Sequence, residues 1–404
     1  MINENIASAP VVFAFVNPAA GHVIPLSSVI RGFVRRGFRV RVYSCSNVSG
    51  LVREAGGEPV ELDRFFTRSR SSAFAAMGYL VALDGAAFMD EFIGQELDAW
   101  KPVCTVADID ALWGLMLAEK HGLQPILFSS TQLRTLYAAG DYWGNYFRSL
   151  EPYEAALQEK LDMLAGQGFP QKTIMSLLCL DGSRDCFATI SGKLQPYPET
   201  LDAGHVLFTG YSRPIGRRPE PARREGRRPL IYVTLGTILS RRLRFFQNCA
   251  AAFRELDVEL VMSVGSSADL RGLEGLPPHM RAFSSVDQID ILSRADVCIF
   301  HGGMNTITEC LMLGVPMVIL PQTFDNFANA ARVTELGAGI TLRGSRPETL
   351  REAVLSVLKE PAFAAAAAAL GGDMRRQCGG DGAADWIISR LREAPSGAAE
   401  RSAR

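Results

Sequence analysis

Two strand–turn–helix units in direct succession constrain the fold more than any other feature of the chain. Each begins with an apolar run, VCIF from Val297 and MVIL from Met317, of the kind found in parallel strands buried on both faces. The first strand should be followed by a helix over 304–313, which Gly314-Val315-Pro316 ends, and the second by a turn over 321–326. Repeated units of this kind form a parallel α/β sheet, whose ligands bind at the carboxyl ends of the strands.

The same alternation of strands and helices occurs twice along the chain. It starts with VVFAFVN at Val11 and a helix from His22, and it restarts with PLIYVTLGT after residue 228. A chain of 404 residues is also too long for one ordinary domain. We therefore predict an α/β protein with two Rossmann-like doubly wound domains facing across a cleft. The predicted parts are an N-terminal domain (1–212), a Pro- and Arg-rich linker (213–228), a C-terminal domain (229–382), a terminal helix (383–394) and a disordered tail (395–404).

Composition excludes several classes of function. A net charge of −1 gives little bulk attraction for nucleic acid or an anionic membrane. The 8 cysteines form no CxxC pair and the 5 histidines are scattered, so a zinc site is not expected. The N-terminus lacks the pattern of a signal peptide and no apolar run has the length of a membrane span. We expect a cytoplasmic protein with reduced thiols.

Polar side chains between residues 301 and 330 concentrate at the two turns. They are His301, Asn305, Thr306, Glu309, Asp325, Asn326 and Asn329. A strand–turn–helix corner directs backbone N–H groups and the positive end of a helix dipole toward one point, which suits a phosphate.

The stretch that contains HGGMNT, TEC, GVPMV, LPQ, FDN and NAARV resembles the nucleotide-sugar signature of bacterial family 1 glycosyltransferases. It is most similar to the macrolide and natural-product branch. The resemblance implies the GT-B fold, with the last helix crossing back onto the first domain. Two positions depart from the family pattern. Asn326 stands where a glutamine is common, and 285–288 reads Ser-Val-Asp-Gln where Trp-Val-Pro-Gln is frequent.

The resemblance also implies roles for residues of the donor site. Those assigned to the diphosphate are His301, Gly302, Gly303, Asn305 and Thr306, with a second contact at Gly236-Thr237. Asp325 and Asn326 would bind the sugar, and Gln288 the base, with Phe283 as a possible stacking partner. Glu309 would accept hydrogen bonds from both ribose hydroxyls, which favours a uridine nucleotide over a thymidine one.

His22, in the turn NPAAGHVIP after the first strand, is the candidate general base, because its ordinary pKa lies close to working pH. In the family that this chain resembles, the histidine of a similar turn has that role. Asp108, at the end of strand PVCTVAD, is the candidate that orients it, and Asp110 is the alternative. Backbone N–H groups and neutral donors could stabilise the leaving group, so no metal and no cofactor are predicted.

The acceptor site is predicted from aromatic composition alone. Aromatic residues are frequent in 64–80 and 131–185, where they belong partly to the core and partly to an apolar pocket. Phe66, Phe88, Tyr142 and Trp143 are the candidate acceptor-binding residues.

We therefore expect an inverting glycosyltransferase that moves a sugar from a nucleoside-diphosphate donor, with UDP favoured, to a small apolar natural product. It would be a monomer or homodimer, and the attacking atom could be oxygen, nitrogen or sulfur. Four alternatives stay open: a dTDP-deoxysugar transferase of antibiotic biosynthesis, a nucleotide-sugar epimerase, a membrane-associated lipid-sugar transferase, and a non-catalytic helper protein of the same fold.

Overall fold

The computed structural model describes residues 9–66, 75–180, 183–211, 227–236, 242–265 and 270–393. Most of the predicted linker, the predicted tail and Thr237 lie outside these residues. The described chain forms two parallel sheets, one of seven strands and one of six. This confirms the prediction of two doubly wound α/β domains.

The first sheet has the strand order β3-β2-β1-β4-β5-β6-β7, and every neighbouring pair is parallel. Its strands are β1 Val11–Phe15, β2 Arg39–Ser44, β3 Glu58–Glu61, β4 Cys104–Asp108, β5 Ile126–Ser129, β6 Cys186–Ala188 and β7 Val206–Phe208. Alternate residues of β1 enter different cores: Val12 and Ala14 pack on one face, and Phe13 and Phe15 on the other. Burial of both faces explains why the strand is apolar throughout.

Eight helices surround the first sheet within the described residues. They are α1 Ala20–Arg35, α2 Ser49–Glu54, α3 Asp63–Phe66, α4 Ala75–Trp100, α5 Leu112–Lys120, α6 Gly144–Leu150, α7 Glu154–Gly166 and α8 Ile174–Leu178. The strand order changes direction between β1 and β4, so the segments that follow these two strands lead to opposite sides and leave a gap between them. In open α/β sheets this is where a ligand crevice forms.

The second sheet repeats the design, with the parallel order β10-β9-β8-β11-β12-β13. Its strands are β8 Leu230–Thr234, β9 Glu259–Ser263, β10 Met280–Phe283, β11 Val297–Phe300, β12 Met317–Ile319 and β13 Gly339–Thr341. The helices of this half are α9 Leu243–Phe253, α10 Gln288–Arg294, α11 Met304–Met312, α12 Phe324–Glu335, α13 Pro347–Lys359, α14 Pro361–Arg375 and α15 Gly379–Glu393. The reversal lies between β8 and β11, which directs its crevice to the segments after those strands.

Helix α15 packs against α1 of the first domain. The backbones approach closely, since a Cβ on Gly380 would lie 2.3 Å from Ser28 Oγ. Arg36 adds an ion pair of 2.6 Å to Asp385. The terminal helix is thus in contact with the helix that carries His22, and it begins at Gly379 rather than at the predicted residue 383.

In the described part of the chain, no single helix has the length and apolar character needed to cross a membrane. Helices α13 and α14 have the length and apolar character of a membrane span only when they are counted as one, and the chain bends by 73° at their junction.

Candidate functional site

The side chains of His22 and Asp108 meet at the carboxyl edge of the first sheet. His22 lies in the first turn of α1, directly after β1, and Asp108 is the last residue of β4. The Nδ1 atom of His22 is 2.8 Å from Oδ2 of Asp108. Asp108 is fully buried, and the backbone N–H groups of Asn17 and Asp110 donate to its two oxygens at 3.2 and 3.0 Å. The carboxylate is therefore held in place, and Nε2 is the ring nitrogen of His22 that Asp108 leaves for proton transfer.

Three carboxylates determine the charge of His22. Burial lowers the pKa of the imidazole, but the charge and hydrogen bond of Asp108, together with the charges of Asp110 and Asp325, outweigh burial and raise the pKa to about 9. The protonated form of His22 therefore dominates at neutral pH in this state of the site. A base must be neutral before it accepts a proton, so this pKa has a direct consequence for the pH dependence of catalysis.

Asp110, the alternative partner of His22, has a different neighbour. Its Oδ1 forms an ion pair of 2.9 Å with Nη2 of Arg134, whose side chain is almost fully buried. Among the described residues, the ligand atoms of His22, Asp108 and Asp110 lie within 4.8 Å of one another, so the three together have the composition of a possible metal site. Since His22 is bonded to Asp108 and Asp110 is paired with Arg134, the group is stabilised by its own contacts. The absence of a metal requirement stays a prediction.

The corner after β11 encloses His301 between two glycines. A Cβ on Gly236 would lie 2.7 Å from Cε1 of His301, and a Cβ on Gly303 would lie 2.6 Å from Nε2, so neither position has space for a larger residue. Burial lowers the pKa of His301 to about 4, and the ring is therefore neutral. Its Nδ1 is buried without a hydrogen-bond partner among the described residues. A neutral N–H donor beside the first turn of α11 is suited to a phosphate oxygen.

Replacing Gly303 by alanine is expected to weaken binding of a nucleoside diphosphate by about tenfold, because the new methyl group would displace the His301 ring. Gly303 has a φ of −67°, so alanine adds no backbone strain there. The measurement is titration calorimetry with the nucleotide. Gly50→Ala is the matched control, since a Cβ at Gly50 meets nothing within 4 Å. Equal affinity in Gly303→Ala and wild type would remove His301 from the phosphate site.

The other residues predicted for the diphosphate lie at the start of α11. Gly302 has a φ of +95°, which an L-residue rarely adopts, and Gly303 is the N-cap. Asn305 donates from Nδ2 to the carbonyl of Gly21 at 3.4 Å, so this corner touches the first domain beside His22. The hydroxyl of Thr306 is 3.3 Å from Nε2 of Gln288. Thr237 lies outside the described residues.

Glu309 is buried on α11 and has protein partners on both oxygens. Tyr211 donates to Oε1 at 3.0 Å and Gln288 Nε2 donates to Oε2 at 2.5 Å. The amide oxygen of Gln288 accepts from Tyr232 at 3.1 Å. The residues predicted for ribose and base are therefore in direct contact. Phe283, by contrast, ends the edge strand β10 with its ring partly exposed.

The turn predicted over 321–326 is shorter in the structure, because helix α12 already begins at Phe324. Thr323 forms a capping box with Asn326: the Oδ1 atom of Asn326 accepts from the Thr323 N–H at 3.2 Å, and α12 starts at Phe324. The Asn326 side chain is buried and its oxygen is engaged in this cap. Asp325 remains next to the dyad, and burial, followed by the charge of Asp110, raises its pKa. Of the two residues predicted for the sugar, Asp325 is the better placed.

The candidate acceptor residues do not form one group. Trp143 is fully buried, with its ring 5.6 Å from that of Tyr146, so it is a core residue and the assignment to a pocket wall is corrected. The Tyr142 hydroxyl donates to Glu335 of the second domain. Phe66 is half-buried with its ring 5.9 Å from Trp113, whereas Phe88 is exposed on α4. Composition indicated an aromatic region but not which rings pack inward.

Several polar residues near the dyad were not assigned roles from the sequence. Ser130 Oγ is 3.4 Å from Nδ1 of His22, and the hydroxyl of Thr131 donates to Asn329 at 3.1 Å across the two domains. Asn329 in turn donates to the carbonyl of Gly302 at 3.1 Å. The sequence signal for these residues is the polar run SSTQ, which begins at Ser129, the last residue of β5, since strand ends at this edge share one crevice.

The chain is similar in sequence to known bacterial glycosyltransferases. Residues 247–381 match a domain family described as 'Erythromycin biosynthesis protein CIII-like, C-terminal domain'. The chain is 28% identical over 402 residues to the NDP-glycosyltransferase YjiC of Bacillus licheniformis, covering 94% of this chain and 97% of that protein. It is 26% identical to the demethyllactenocin mycarosyltransferase of Streptomyces fradiae, covering 93% and 86%.

Among solved structures, the glycotransferase of kitacinnamycin superposes with a TM-score of 0.80 at 29% identity, covering 95% of this chain and 99% of that one. The chain is therefore similar over most of its length to bacterial NDP-glycosyltransferases, one of them a mycarosyltransferase, and it has the GT-B fold.

Proposed function

We propose that the enzyme transfers a sugar from a UDP-sugar to a small, largely apolar natural product with inversion at the anomeric carbon. The observation that supports this most is the 2.8 Å contact between His22 and the buried Asp108, beside a corner suited to a diphosphate. The base is thus aligned by one domain and the leaving group is bound by the other. The contact of Asn305 with Gly21 joins the two sides.

The reaction balances with these groups alone. An acceptor hydroxyl transfers its proton to Nε2 of His22, and its oxygen forms a bond to the anomeric carbon. The bond between that carbon and the phosphate oxygen breaks, and its electron pair leaves with the nucleoside diphosphate. Asp108 stabilises the resulting imidazolium through Nδ1. The N–H groups at the start of α11 and the neutral His301 stabilise the charge on the departing phosphate.

The preference for a uridine nucleotide follows from Glu309. Glu309 is a buried carboxylate on α11, and carboxylate oxygens are acceptors suited to the two hydroxyls of a ribose. A thymidine diphosphate of the deoxy series has only one of these hydroxyls. Within the same proposal, Asp325 binds the sugar and the apolar surface near Phe66 contacts the acceptor.

Product analysis with UDP-glucose and a panel of phenolic and macrolide acceptors tests the proposal. We expect UDP release only in the presence of acceptor, and a β-glycoside in the NMR spectrum of the product from the α-configured donor. An α-glycoside would contradict inversion. UDP release without acceptor, together with an epimerised sugar, would instead support a nucleotide-sugar epimerase. Turnover with dTDP-sugars alone would reassign the donor.

A further inference from the structure

Asn329 is buried between the two domains and forms hydrogen bonds with both of them. It lies in the second turn of α12 and is fully buried. Its Oδ1 accepts a hydrogen bond of 3.1 Å from the hydroxyl of Thr131, which belongs to the first domain. Its Nδ2 donates to the carbonyl of Gly302 at 3.1 Å and lies 3.5 Å from Oδ2 of Asp325, both in the second domain. Because two acceptors surround one end of the amide, that end carries the NH2 group, and the orientation of the side chain is defined.

The carbonyl that Asn329 holds belongs to the peptide between two glycines. Gly302 has a φ of +95°, and a Cβ there would lie 3.0 Å from Ile319 and 3.1 Å from the carbonyl of Asn326, so this position requires glycine. Two successive glycines leave the peptide between them with little restraint from side chains of its own. The C=O and the following N–H of a trans peptide point in opposite directions. The bond from Asn329 therefore also fixes the direction of the N–H of Gly303, the N-cap of α11.

Thr131 connects this arrangement to the side of the crevice that carries the base. The hydroxyl of its neighbour Ser130 is 3.4 Å from Nδ1 of His22. The N–H of Thr131 donates to Oγ of Ser129 at 3.2 Å, and the hydroxyl of Ser129 donates to the carbonyl of Thr131 at 2.9 Å. Thr131 is thus held in a compact turn at the end of β5, and its hydroxyl links this turn to Asn329 and the phosphate corner.

We propose that Asn329 is a positioning residue that keeps the phosphate corner in its binding conformation, and that Thr131 of the first domain keeps Asn329 in place. Nucleotide binding by the second domain then depends on a hydroxyl of the first domain, which acts through Asn329 rather than on the nucleotide itself. This inference rests on the proposed function, because it takes the start of α11 as the diphosphate site.

Removal of either group has a definite cost. Without the hydroxyl of Thr131, Oδ1 of Asn329 is a buried acceptor that has lost its donor, which favours conformations in which the domains move apart and admit water. Without the amide of Asn329, the carbonyl of Gly302 loses its donor and the peptide can turn. Both changes reduce the fraction of molecules whose corner is ready for a diphosphate, and the apparent affinity falls with that fraction.

The experiment is titration calorimetry on wild type, Asn329→Ala, Thr131→Val and the double variant. UDP is the ligand, and dTDP is used in parallel because both carry a diphosphate. We expect Asn329→Ala to weaken binding by about tenfold and Thr131→Val by about threefold. In the Asn329→Ala background, Thr131→Val should change the affinity by less than about 1.5-fold, because its effect passes through Asn329. Thr131→Ser keeps the hydroxyl and should bind nucleotide like wild type.

Two matched controls separate positioning from general damage. Thr105→Val removes the hydroxyl of a buried threonine near the start of β4, at the opposite end of the strand from Asp108. Asn248→Ala removes an amide that donates to a backbone carbonyl, that of Ser345, within the second domain. Both controls should bind nucleotide like wild type. Melting temperatures measured without nucleotide check that each variant is folded.

Three results would overturn this inference and leave the proposed function standing: unchanged affinity in Asn329→Ala, a further loss from Thr131→Val in the double variant, or equal losses in Thr131→Ser and Thr131→Val. Binding of dTDP but not UDP would contradict the uridine preference of the proposed function, and the same comparisons made with dTDP would decide this inference. Wild-type protein that binds neither nucleotide would overturn both.

Discussion

Replacing His22 by glutamine is expected to lower kcat for glycosyl transfer by about 10²–10⁴-fold, the usual contribution of a general base. The affinity for UDP should change little, because His22 lies on the first domain, whereas His301 and Glu309, proposed to bind the nucleotide, lie on the second. The measurement is single-turnover transfer at saturating donor and acceptor, with nucleotide affinity determined separately.

His205 provides the control for this substitution. Its Nδ1 also lies 2.8 Å from a carboxylate, that of Asp185, but at the amino edge of the sheet, opposite the crevice. His205→Gln should therefore keep wild-type activity. If His22→Gln retained full kcat, His22 would be a structural residue and the base would have to be sought elsewhere in the crevice. A parallel loss of UDP affinity would indicate that the donor site had been disturbed instead.

The parts of the fold that the sequence predicts are those in which each strand is buried on both faces. β1 and β11 are continuous apolar runs followed by glycine or proline, and the structure has them as predicted. β6 and β7 have three residues each, and neither was recognised, because a pattern of that length cannot be separated from a loop. β6 takes its place in the sheet by pairing with β5, and β7 by pairing with β6, and both pairings are tertiary interactions.

The sequence predicts a site residue where a side chain of suitable chemistry lies at the end of a recognisable strand, as with His22, Asp108 and His301. It was not predictable where a role depends on which side of a helix faces inward. Trp143 and Tyr142 are adjacent aromatic residues, yet Trp143 lies in the core and Tyr142 contacts the second domain. Tyr211 was missed for a related reason, since its contact with Glu309 joins residues that are distant in the chain.

The rate of transfer is expected to increase with pH up to about pH 9. Because the surrounding carboxylates raise the pKa of His22 to about 9, only about 1% of the imidazole is neutral at pH 7. A base acts in its neutral form, so kcat/KM should increase by close to tenfold per unit below the pKa and level off above it. The measurement is kcat/KM between pH 6 and 10. A profile already flat at pH 7 would mean that the pKa of His22 is not raised in the enzyme, or that His22 is not the base.

Asp108→Asn should alter both the height and the midpoint of this profile. Without the charge of Asp108, burial of His22 is opposed only by the more distant Asp110 and Asp325, so the pKa of the imidazole falls and more of it is neutral at pH 7. At pH 9 this advantage disappears, and the loss of the group that orients and stabilises the imidazolium should lower kcat/KM on the order of a hundredfold. The ratio of variant to wild-type activity is therefore expected to be lower at pH 9 than at pH 7.

Whether Asp108→Asn loses more activity at pH 9 than at pH 7 shows whether Asp108 acts on His22 through its charge or only supports the local structure. Asp185→Asn removes the carboxylate beside His205 and should leave the profile unaltered. A variant of Asp108 whose activity is reduced by the same factor at every pH would indicate that Asp108 supports the backbone of Asn17 and Asp110 without setting the pKa of His22. If the deficit is larger at high pH, then the 2.8 Å contact between the two side chains controls the protonation of the base, and the enzyme works best where that proton has been lost.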